Sequence, residues 1–327
     1  MTPDPAQRSL DCLSFGELLV DFCQVGNNAS GYPVYEANPG GAPANVAAAL
    51  ARWGLRSGFI GKVGRDALGR FLAATLAQCG VDCSWLLFSE RPTTLAMVAN
   101  GPGGERSFDF RRQGTADTDL RPGEVPPGWV AGTRIFHFGS VSLTTDPVRS
   151  ATLEALAQAR AAGALISFDP NLRPALWDSL EAARRWMLLG ARGVDLLKVS
   201  GEELGFLGGR EDLPLEQAAR ALRATCGARL LLVTLGAEGC LWLNGRDCGL
   251  VPAPRAEALD STGAGDIFLA GVLFALLRCG RDLEALEPEE LARIVRFGNA
   301  AGALSTETRG ALPSIPDLAA ISSCLAR

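Results

Sequence analysis

Near its C-terminal end the chain reads Asp260-Ser261-Thr262-Gly263-Ala264-Gly265-Asp266, and an uncharged, almost wholly apolar run follows over residues 267–277. A Gly-Ala-Gly turn that opens so apolar a run predicts the start of a buried helix. Glycines let backbone N–H groups approach a ligand closely, and the unpaired amides of a helix start form an anion site. Asp266 then has two interpretations. It is a proton acceptor beside a bound phosphate, or it only complements the helix dipole.

Upstream of this segment, short apolar runs alternate with Ala- and Leu-rich segments at helical spacing. Strands are predicted at residues 165–168, 194–199 and 230–234, and helices at 148–161, 180–189 and 215–225. Gly163 and Gly190 stand where helix C-caps belong. The alternation predicts a doubly wound α/β fold with a mostly parallel sheet, in which ligands bind beyond the carboxyl ends of the strands.

Two stretches depart from this alternation. Residues 21–39 are polar, and residues 93–112 have the pattern of a hairpin whose strands join through the turn-rich sequence Asn100-Gly101-Pro102-Gly103-Gly104. They are predicted to form structure outside the main α/β layers.

A second motif lies near the N-terminus, and with the first it resembles a known family. The chain reads Pro39-Gly40-Gly41-Ala42-Pro43-Ala44-Asn45-Val46-Ala47, followed by Gly61-Lys62-Val63-Gly64-Arg65-Asp66. The two motifs, in this order, resemble the signatures of ribokinase-like (PfkB) sugar kinases, over roughly residues 16–316. The resemblance implies a single ribokinase-like α/β kinase domain over residues 1–327. Its small β lid would be formed by insertions at about 22–38 and 93–113.

Within that family the chain most resembles fructokinases, which implies an ATP-dependent transfer of phosphate to fructose, giving fructose 6-phosphate. The alternatives are a 2-keto-3-deoxygluconate kinase or a ribokinase, and, in another class, a non-catalytic sugar-binding regulator. Two further enzyme classes lack their sequence motifs here. A dinucleotide-dependent oxidoreductase would carry Gly-x-Gly-x-x-Gly after the first strand, and none is present. A Walker-type NTPase would carry Ser or Thr after Gly-Lys, but Gly61-Lys62 is followed by Val63.

Composition agrees with a cytoplasmic enzyme acting on a small molecule. Apolar residues make up 47% of the 327 residues, which suffices for a large core. The formal charge of −5, with no basic run, argues against nucleic acid or an anionic membrane as a partner. The first twelve residues lack the apolar run of a signal peptide, and the nine cysteines show no paired zinc pattern.

Phosphoryl transfer requires a proton acceptor and positive charge at the moving group. By resemblance, Asp266 accepts the proton of the sugar hydroxyl, and the amides of Gly263, Ala264 and Gly265 bind the phosphoryl group. We expect the helix start to favour the ionised form of Asp266. Asn171 and Arg173 follow a predicted strand and match residues near the transferred phosphate, although Arg173 could instead pair with a surface carboxylate.

The nucleotide and its magnesium ion are assigned by resemblance to the following strands. Glu203 matches the family residue that organises Mg²⁺ through water, whereas Ser200 stands where the family usually has Asn and could simply cap a helix. Asn299 matches a position near the adenine, but its small neighbours fit close helix packing equally well. The remaining residues assigned to the nucleotide are Lys198, Thr234, Gly236 and Gly239.

Sugar recognition is assigned to the N-terminal half. Asp21, predicted to follow a strand, can accept two hydroxyl hydrogens, while Gly40 and Gly41 offer amides and Asn45 offers a donor and an acceptor. Asp266 contacts the reacting hydroxyl. Arg112 matches an arginine that follows an aromatic residue in many members, but Arg111 takes the place of that aromatic here. His137, among aromatics at a predicted strand end, is expected to be structural.

Two further expectations rest on the resemblance alone. Several members bind a monovalent cation, here K⁺, beside the anion site. The matching positions are Asp260, Thr262, Ser305, Thr308, Gly310 and Ser314. Members of the family also commonly form homodimers through the lid.

Overall fold

A nine-stranded sheet forms the centre of the molecule in the computed structural model, which describes residues 10–100, 106–209 and 213–326. Its strand order is β13-β12-β11-β10-β9-β8-β1-β4-β5, and its pairs are parallel except β11–β12 and β12–β13. The strands are β1 Leu10–Phe15, β4 Ser57–Gly64, β5 Leu86–Ser89, β8 Thr133–Gly139, β9 Leu165–Asp169, β10 Leu196–Ser200, β11 Leu230–Thr234, β12 Cys240–Leu243 and β13 Cys248–Val251.

Helices cover both faces of this sheet, as the doubly wound prediction requires. One face packs against α1, α2, α8, α9 and α10, and the other against α3 to α7. The helices are α1 Ala42–Arg52, α2 Ala67–Gln78, α3 Pro127–Ala131, α4 Val148–Ala161, α5 Leu180–Gly190, α6 Gly201–Gly208, α7 Leu215–Cys226, α8 Ala264–Cys279, α9 Pro288–Ser305 and α10 Leu318–Leu325. Successive side chains of β1 point to opposite faces of the sheet, so Cys12 packs in the core on one face and Leu13 in the core on the other. Burial on both faces explains why the parallel strands are continuously apolar.

The order of the strands fixes where a ligand can bind. From β1 the chain runs outward to β4 and β5, then returns to β8 on the other side of β1 and continues outward to β13. The direction of winding therefore reverses between β1 and β8. In open α/β sheets the crevice outside the carboxyl ends of the strands at this reversal is the usual binding site.

A second, four-stranded sheet has the order β3-β2-β6-β7 and comprises β2 Leu19–Asn27, β3 Pro33–Gly40, β6 Leu95–Asn100 and β7 Arg106–Arg111. The predicted pairing of the hairpin strands, β6 with β7, is confirmed, whereas its connecting loop at 101–105 lies outside the described residues, as do residues 1–9. Asp21 was expected to follow a strand, but it lies within β2 because pairing with β3 and β6 extends that strand.

Helix α8 is the buried helix that the apolar run predicts. It begins after Gly263 and crosses α9 so closely that a Cβ at Gly271 would lie 2.9 Å from the Cα of Gly298. Gly163 has the positive φ of a C-cap residue, as expected. Gly190 does not cap α5. It is the last helical residue, and a Cβ there would lie 3.0 Å from the side chain of Leu143, so close packing accounts for this glycine.

Within the described ranges, none of the helices combines the length and the apolar character needed to cross a bilayer.

The contact between α8 and α9 gives a stability prediction. Gly271→Ala should lower the free energy of unfolding by about 1–3 kcal/mol, because the added methyl group overpacks the contact with Gly298. Gly208→Ala is the matched control. Gly208 is helical with no atom within 4 Å of an added Cβ, so this change should leave stability unchanged or raise it slightly. Urea unfolding followed by circular dichroism measures both, and equal stabilities would contradict the prediction.

Candidate active site

A cavity of about 430 Å³ opens at the carboxyl ends of the strands where the winding reverses. Its walls come from the β1–β2 connection, the start of α1, strand β7, the segment after β9 and the start of α8. The lining residues are Glu17, Leu19, Asp21, Gly41, Ala42, Asn45, Phe110, Val141, Asn171, Arg173, Leu176, Ser261, Thr262, Gly263 and Asp266. The structure thus brings together eight residues assigned to the site from sequence, five of them from the two motifs.

Asp266 lies in the first turn of α8 and is only 6% exposed. Its Oδ2 accepts a 2.7 Å hydrogen bond from Nδ2 of Asn45. Burial raises the pKa of Asp266 above its ordinary value, and this outweighs the opposing effects of Asn45, Lys198 and Arg173. The helix start was expected to favour the ionised form of Asp266, but burial has the larger effect and shifts the pKa in the opposite direction. A higher pKa makes Asp266 a better proton acceptor.

The start of α8 has the geometry expected of an anion site. Gly263 has φ +77°, and a Cβ there would lie 2.7 Å from the Cβ of Ala311, so glycine is required. The N–H of Ala264 already donates to the carbonyl of Ser261 at 3.1 Å. Among the three predicted anion-binding amides, helix geometry leaves those of Gly263 and Gly265 open for a ligand.

The glycines of the N-terminal motif make room for a carboxylate. A Cβ at Gly40 would lie 2.4 Å from Oδ2 of Asp21, and a Cβ at Gly41 would lie 2.3 Å from the carbonyl of Glu17. A side chain at position 40 would therefore displace Asp21. Burial raises the pKa of Asp21 to about 6, although Arg173 opposes the shift.

The segment after β9 carries Asn171 and Arg173 to the cavity. Asn171 has φ +47°, a left-handed conformation that Asn tolerates, and its N–H donates to Asp169 at 3.2 Å. The next amide, of Leu172, donates to Oε1 of Glu203 at 2.6 Å. Among the described residues Arg173 forms no ion pair within 4 Å, so the surface pairing considered from sequence is absent and the guanidinium lies at the cavity.

Lys198 lies beneath the start of α8. Its Nζ forms a 2.9 Å ion pair with Asp169, and a Cβ at Gly265 would lie 3.0 Å from the same Nζ. Burial lowers the pKa of Lys198, but the surrounding carboxylates, Asp169, Glu203 and Asp266, outweigh it and raise the pKa to about 12. A permanent positive charge therefore supports the predicted anion site from within the protein.

Glu203 and Ser200 form a capping box at the start of α6. Oγ of Ser200 accepts from the N–H of Glu203 at 3.1 Å, and Oε2 of Glu203 accepts from the N–H of Ser200 at 2.8 Å. The capping interpretation of Ser200 is confirmed. Both oxygens of Glu203 bind backbone amides, and no group of three acidic, His or Cys ligands occurs in the described part of the chain. The carboxylate oxygens of Glu203 therefore fit a magnesium ion that they contact through its bound water.

Other residues assigned from sequence lie outside the cavity wall. Arg112 is buried, and its guanidinium binds Asp117, Thr144 and the carbonyl of Val141. Asn299 donates to the carbonyls of Val251 and Pro252, which ties α9 to the end of β13. Three residues lie on or beside the turn between β11 and β12, namely Thr234, Gly236 and Gly239.

The positions matched to a cation site are held together by Asp260. Its Oδ1 accepts from the N–H of Thr262 at 2.8 Å, and its Oδ2 accepts from the N–H of Gly310 at 3.0 Å. The hydroxyls of Ser305 and Ser314 donate to carbonyls within their own turns, and the N–H of Thr308 donates to the carbonyl of Ser305. The two segments are therefore adjacent, as a shared ion site requires.

Several residues of the cavity wall belong to no sequence motif that would predict them. Leu19, Phe110, Val141 and Leu176 are ordinary apolar residues, and only the fold places them at the cavity. Glu17 is different, because a carboxylate two residues after the first buried strand is a recognisable sequence signal. His137 does not line the cavity. It is buried, its Nδ1 lies 3.1 Å from Oγ of Ser167, and burial lowers its pKa to about 3.

Comparison with known proteins identifies the family. Residues 10–318 match the model of the pfkB family carbohydrate kinases. The chain belongs to this family. It is 41% identical over 315 residues to the probable fructokinase-3 of Arabidopsis thaliana, covering 95% of this chain and 90% of that protein. It is also 41% identical over 314 residues to fructokinase-1 of Oryza sativa subsp. japonica, covering 95% and 96% of the two chains.

Solved structures of the PfkB family share the fold. The fructokinase of Xylella fastidiosa with bound ATP has a TM-score of 0.88 at 34% identity, over 97% of this chain and 98% of that one. A fructokinase of Vibrio cholerae O395 with fructose, ADP and a calcium ion has a TM-score of 0.85 at 34% identity, over 97% and 99%. The predicted ribokinase-like α/β fold and the kinase class are confirmed.

The two hydrogen bonds of Glu203 give a prediction for this PfkB protein. Glu203→Gln should lower the free energy of unfolding by about 1–3 kcal/mol, because an amide group would face a buried N–H that now has an acceptor. We also expect kcat to fall, since the segment carrying Asn171 and Arg173 loses its restraint. The control is Glu202→Gln, an exposed neighbour in the same helical turn. Thermal unfolding and ADP release measure the effects, and indistinguishable variants would contradict the prediction.

Proposed function

We propose that this protein transfers the γ-phosphate of ATP to the 6-hydroxyl of fructose, giving fructose 6-phosphate. One observation carries the proposal: Asp266, at the start of α8, lines the same cavity as Asp21 and Asn45. A proton acceptor and a set of polar groups suited to sugar hydroxyls therefore share one space. Curated fructokinases at about 41% identity, and fructokinase structures holding ATP or fructose with ADP, support the choice of substrates.

The chemistry follows from the placement of these groups. Asp266 accepts the proton of the 6-hydroxyl while the amides of Gly263 and Gly265 and the guanidinium of Arg173 stabilise charge on the phosphoryl group. In a loose transition state the nucleophile has formed little bond, so the position of Asp266 matters more than its basicity. The proposed contacts to the sugar come from Asp21, from the amides of Gly40 and Gly41 and from Asn45, and those to the nucleotide from the residues assigned to it above.

Two cations belong to the proposal. Magnesium would be carried mainly by the phosphates, with Glu203 contacting its water shell, and would neutralise charge on the transferred group. Potassium would bind between the segments that Asp260 joins. A fructokinase of Vibrio cholerae O395, solved with fructose, ADP and a potassium ion, supports this choice.

We further propose that the four-stranded sheet covers the sugar as a lid and joins two copies of the chain. Its strands β2 and β3 and their turn expose large apolar side chains, Val25 at 50%, Tyr32 at 69%, Val34 at 41% and Tyr35 at 38%. A cluster of exposed apolar side chains of this kind marks an interaction surface. The cytoplasm is the proposed location, because none of the nine cysteines, all in the described ranges, forms a disulfide, which suits a reducing compartment.

The dimer proposal gives a prediction. Sedimentation velocity should show a dimer for the wild type and a shift to monomer for Tyr32→Glu, because a charge at the centre of an apolar interface is costly to bury. Leu259→Glu places the same charge on an equally exposed apolar residue outside this sheet and should leave the dimer intact. A wild type that sediments as a monomer at all concentrations would overturn the proposal.

The proposed reaction is tested through Asp266. Asp266→Asn should lower kcat by about 10²-fold or more, since the proton acceptor is lost, while fructose binding changes little because an amide oxygen can still accept from Asn45. A coupled assay of ADP release gives kcat, and calorimetry gives the affinity for fructose. Asp247→Asn, in the β12–β13 turn at the opposite edge of the sheet, is the control. Wild-type turnover in Asp266→Asn would remove this residue from the mechanism.

The same assay decides between substrates and between cations. We expect the highest kcat/KM with fructose when the wild type is offered fructose, ribose and 2-keto-3-deoxygluconate. A higher value for either other sugar would reassign the substrate, and no ADP release with any of them would favour a sugar-binding regulator. Withholding MgCl2 should abolish turnover, and replacing KCl with NaCl should lower it.

A further inference from the structure

Glu17 is a buried carboxylate that the proposed mechanism does not use. It stands two residues after β1, in the connection to β2, and is 4% exposed. Its Oε1 accepts the N–H of Ala42 at 3.0 Å, whereas its Oε2 has no hydrogen-bond partner in the described part of the chain. A buried acceptor left unpaired costs about 1–3 kcal/mol. Such a group calls for an explanation, and a bound ligand that supplies the missing donor is one.

The position of Glu17 points to the cavity. The residue lines the same cavity as Asp21 and Asn45, beyond the carboxyl end of the strand where the winding of the sheet reverses. Asn45 shows the same deficiency, because its Nδ2 binds Asp266 while its Oδ1 is buried without a partner. Two residues with an unpaired buried acceptor therefore line the same cavity. Both need a hydrogen-bond donor.

Among the described residues, no neighbouring residue supplies a donor to Oε2. The backbone N–H of Glu17 itself lowers the pKa of its carboxyl group, and Arg112 lowers it electrostatically, while the three guanidinium nitrogens of Arg112 bind Asp117, Thr144 and the carbonyl of Val141. Burial dominates this balance and raises the pKa of Glu17 to about 7. The free cavity thus holds a carboxyl group that is poorly stabilised and that a donor from the ligand would stabilise.

We propose that Glu17 is a substrate-binding residue whose Oε2 accepts a hydrogen bond from one hydroxyl of the sugar, a hydroxyl other than the one that is phosphorylated. Oε1 meanwhile keeps the carboxylate fixed to the first residue of α1. This inference rests on the proposed function and adds to it a residue that discriminates between hydroxylated and deoxygenated substrates. A hydrogen bond to a charged acceptor in a closed site is typically the stronger kind.

The test compares Glu17→Gln with the wild type on fructose and on 1-deoxy-, 3-deoxy- and 4-deoxyfructose. Gln keeps the size of the side chain and the acceptor for Ala42, but replaces Oε2 by an NH₂ group. Its kcat/KM for fructose should fall about 10- to 100-fold, with KM for ATP unchanged. One deoxy sugar should lose at least tenfold with the wild type and show no further loss with Glu17→Gln, because the variant already lacks that contact.

The outcomes separate a binding role from a structural one. If Glu17 is only structural, Glu17→Gln should lose activity, but each missing hydroxyl should still lower kcat/KM as much as it does in the wild type. That result would overturn the inference. An unchanged kcat/KM for fructose in Glu17→Gln would overturn it as well. Glu181→Gln, an exposed carboxylate on α5, is the control for the substitution itself. If Glu17→Gln does not fold, Glu17→Asp should show the same selective insensitivity, since its shorter side chain withdraws the oxygen.

The proposed function can fail separately. A wild type that releases no ADP with fructose, before any variant is compared, would overturn both the proposed reaction and the role of Glu17 in it. The role of Glu17 alone would be overturned by a different result. In that case the wild type phosphorylates fructose, and each deoxy sugar loses the same factor in kcat/KM, relative to fructose, in Glu17→Gln as in the wild type.

Discussion

The hydrogen bond from Nδ2 of Asn45 to Oδ2 of Asp266 joins the first turns of two helices whose residues are 221 positions apart in the chain. Both residues are buried, at 4% and 6% exposure, so the bond is shielded from water. It holds the start of α1 against the start of α8, so that both helix starts line one cavity. Edge-on packing of Trp53 against Phe274, with ring centres 5.7 Å apart, fixes the same two helices further along.

Around this bond the protein concentrates charge in a small volume that water reaches poorly. Lys198, beneath the start of α8, forms an ion pair with Asp169, and Glu203 accepts hydrogen bonds from two backbone amides. Buried charges are tolerated when each has a partner of this kind. Asp266 accepts a hydrogen bond from the neutral amide of Asn45, and burial raises its pKa despite this bond.

Sequence reasoning predicted the elements well where local pattern and tertiary packing agree. The segment 215–225 became Leu215–Cys226, and the two motifs met at one cavity. It failed where the outcome depends on distant neighbours. Gly190 has the spacing of a cap but serves packing, and the pKa of Asp266 follows burial rather than the helix start. Nothing local shows that Glu17 would be left half-paired, because pairing is decided by the surrounding fold.

The cavity draws its walls from two sheets with separate frameworks. Leu19, Asp21 and Phe110 belong to the four-stranded sheet, whereas Asp266 and Arg173 are positioned by the large sheet and its helices. Changes in the small sheet can therefore reshape one part of the cavity without disturbing the residues that the large sheet positions. Under the proposed function, a lineage could acquire a new acceptor sugar by altering a few residues on β2 and β7. Grafting the small sheet between relatives offers a direct route to kinases with altered sugar preference.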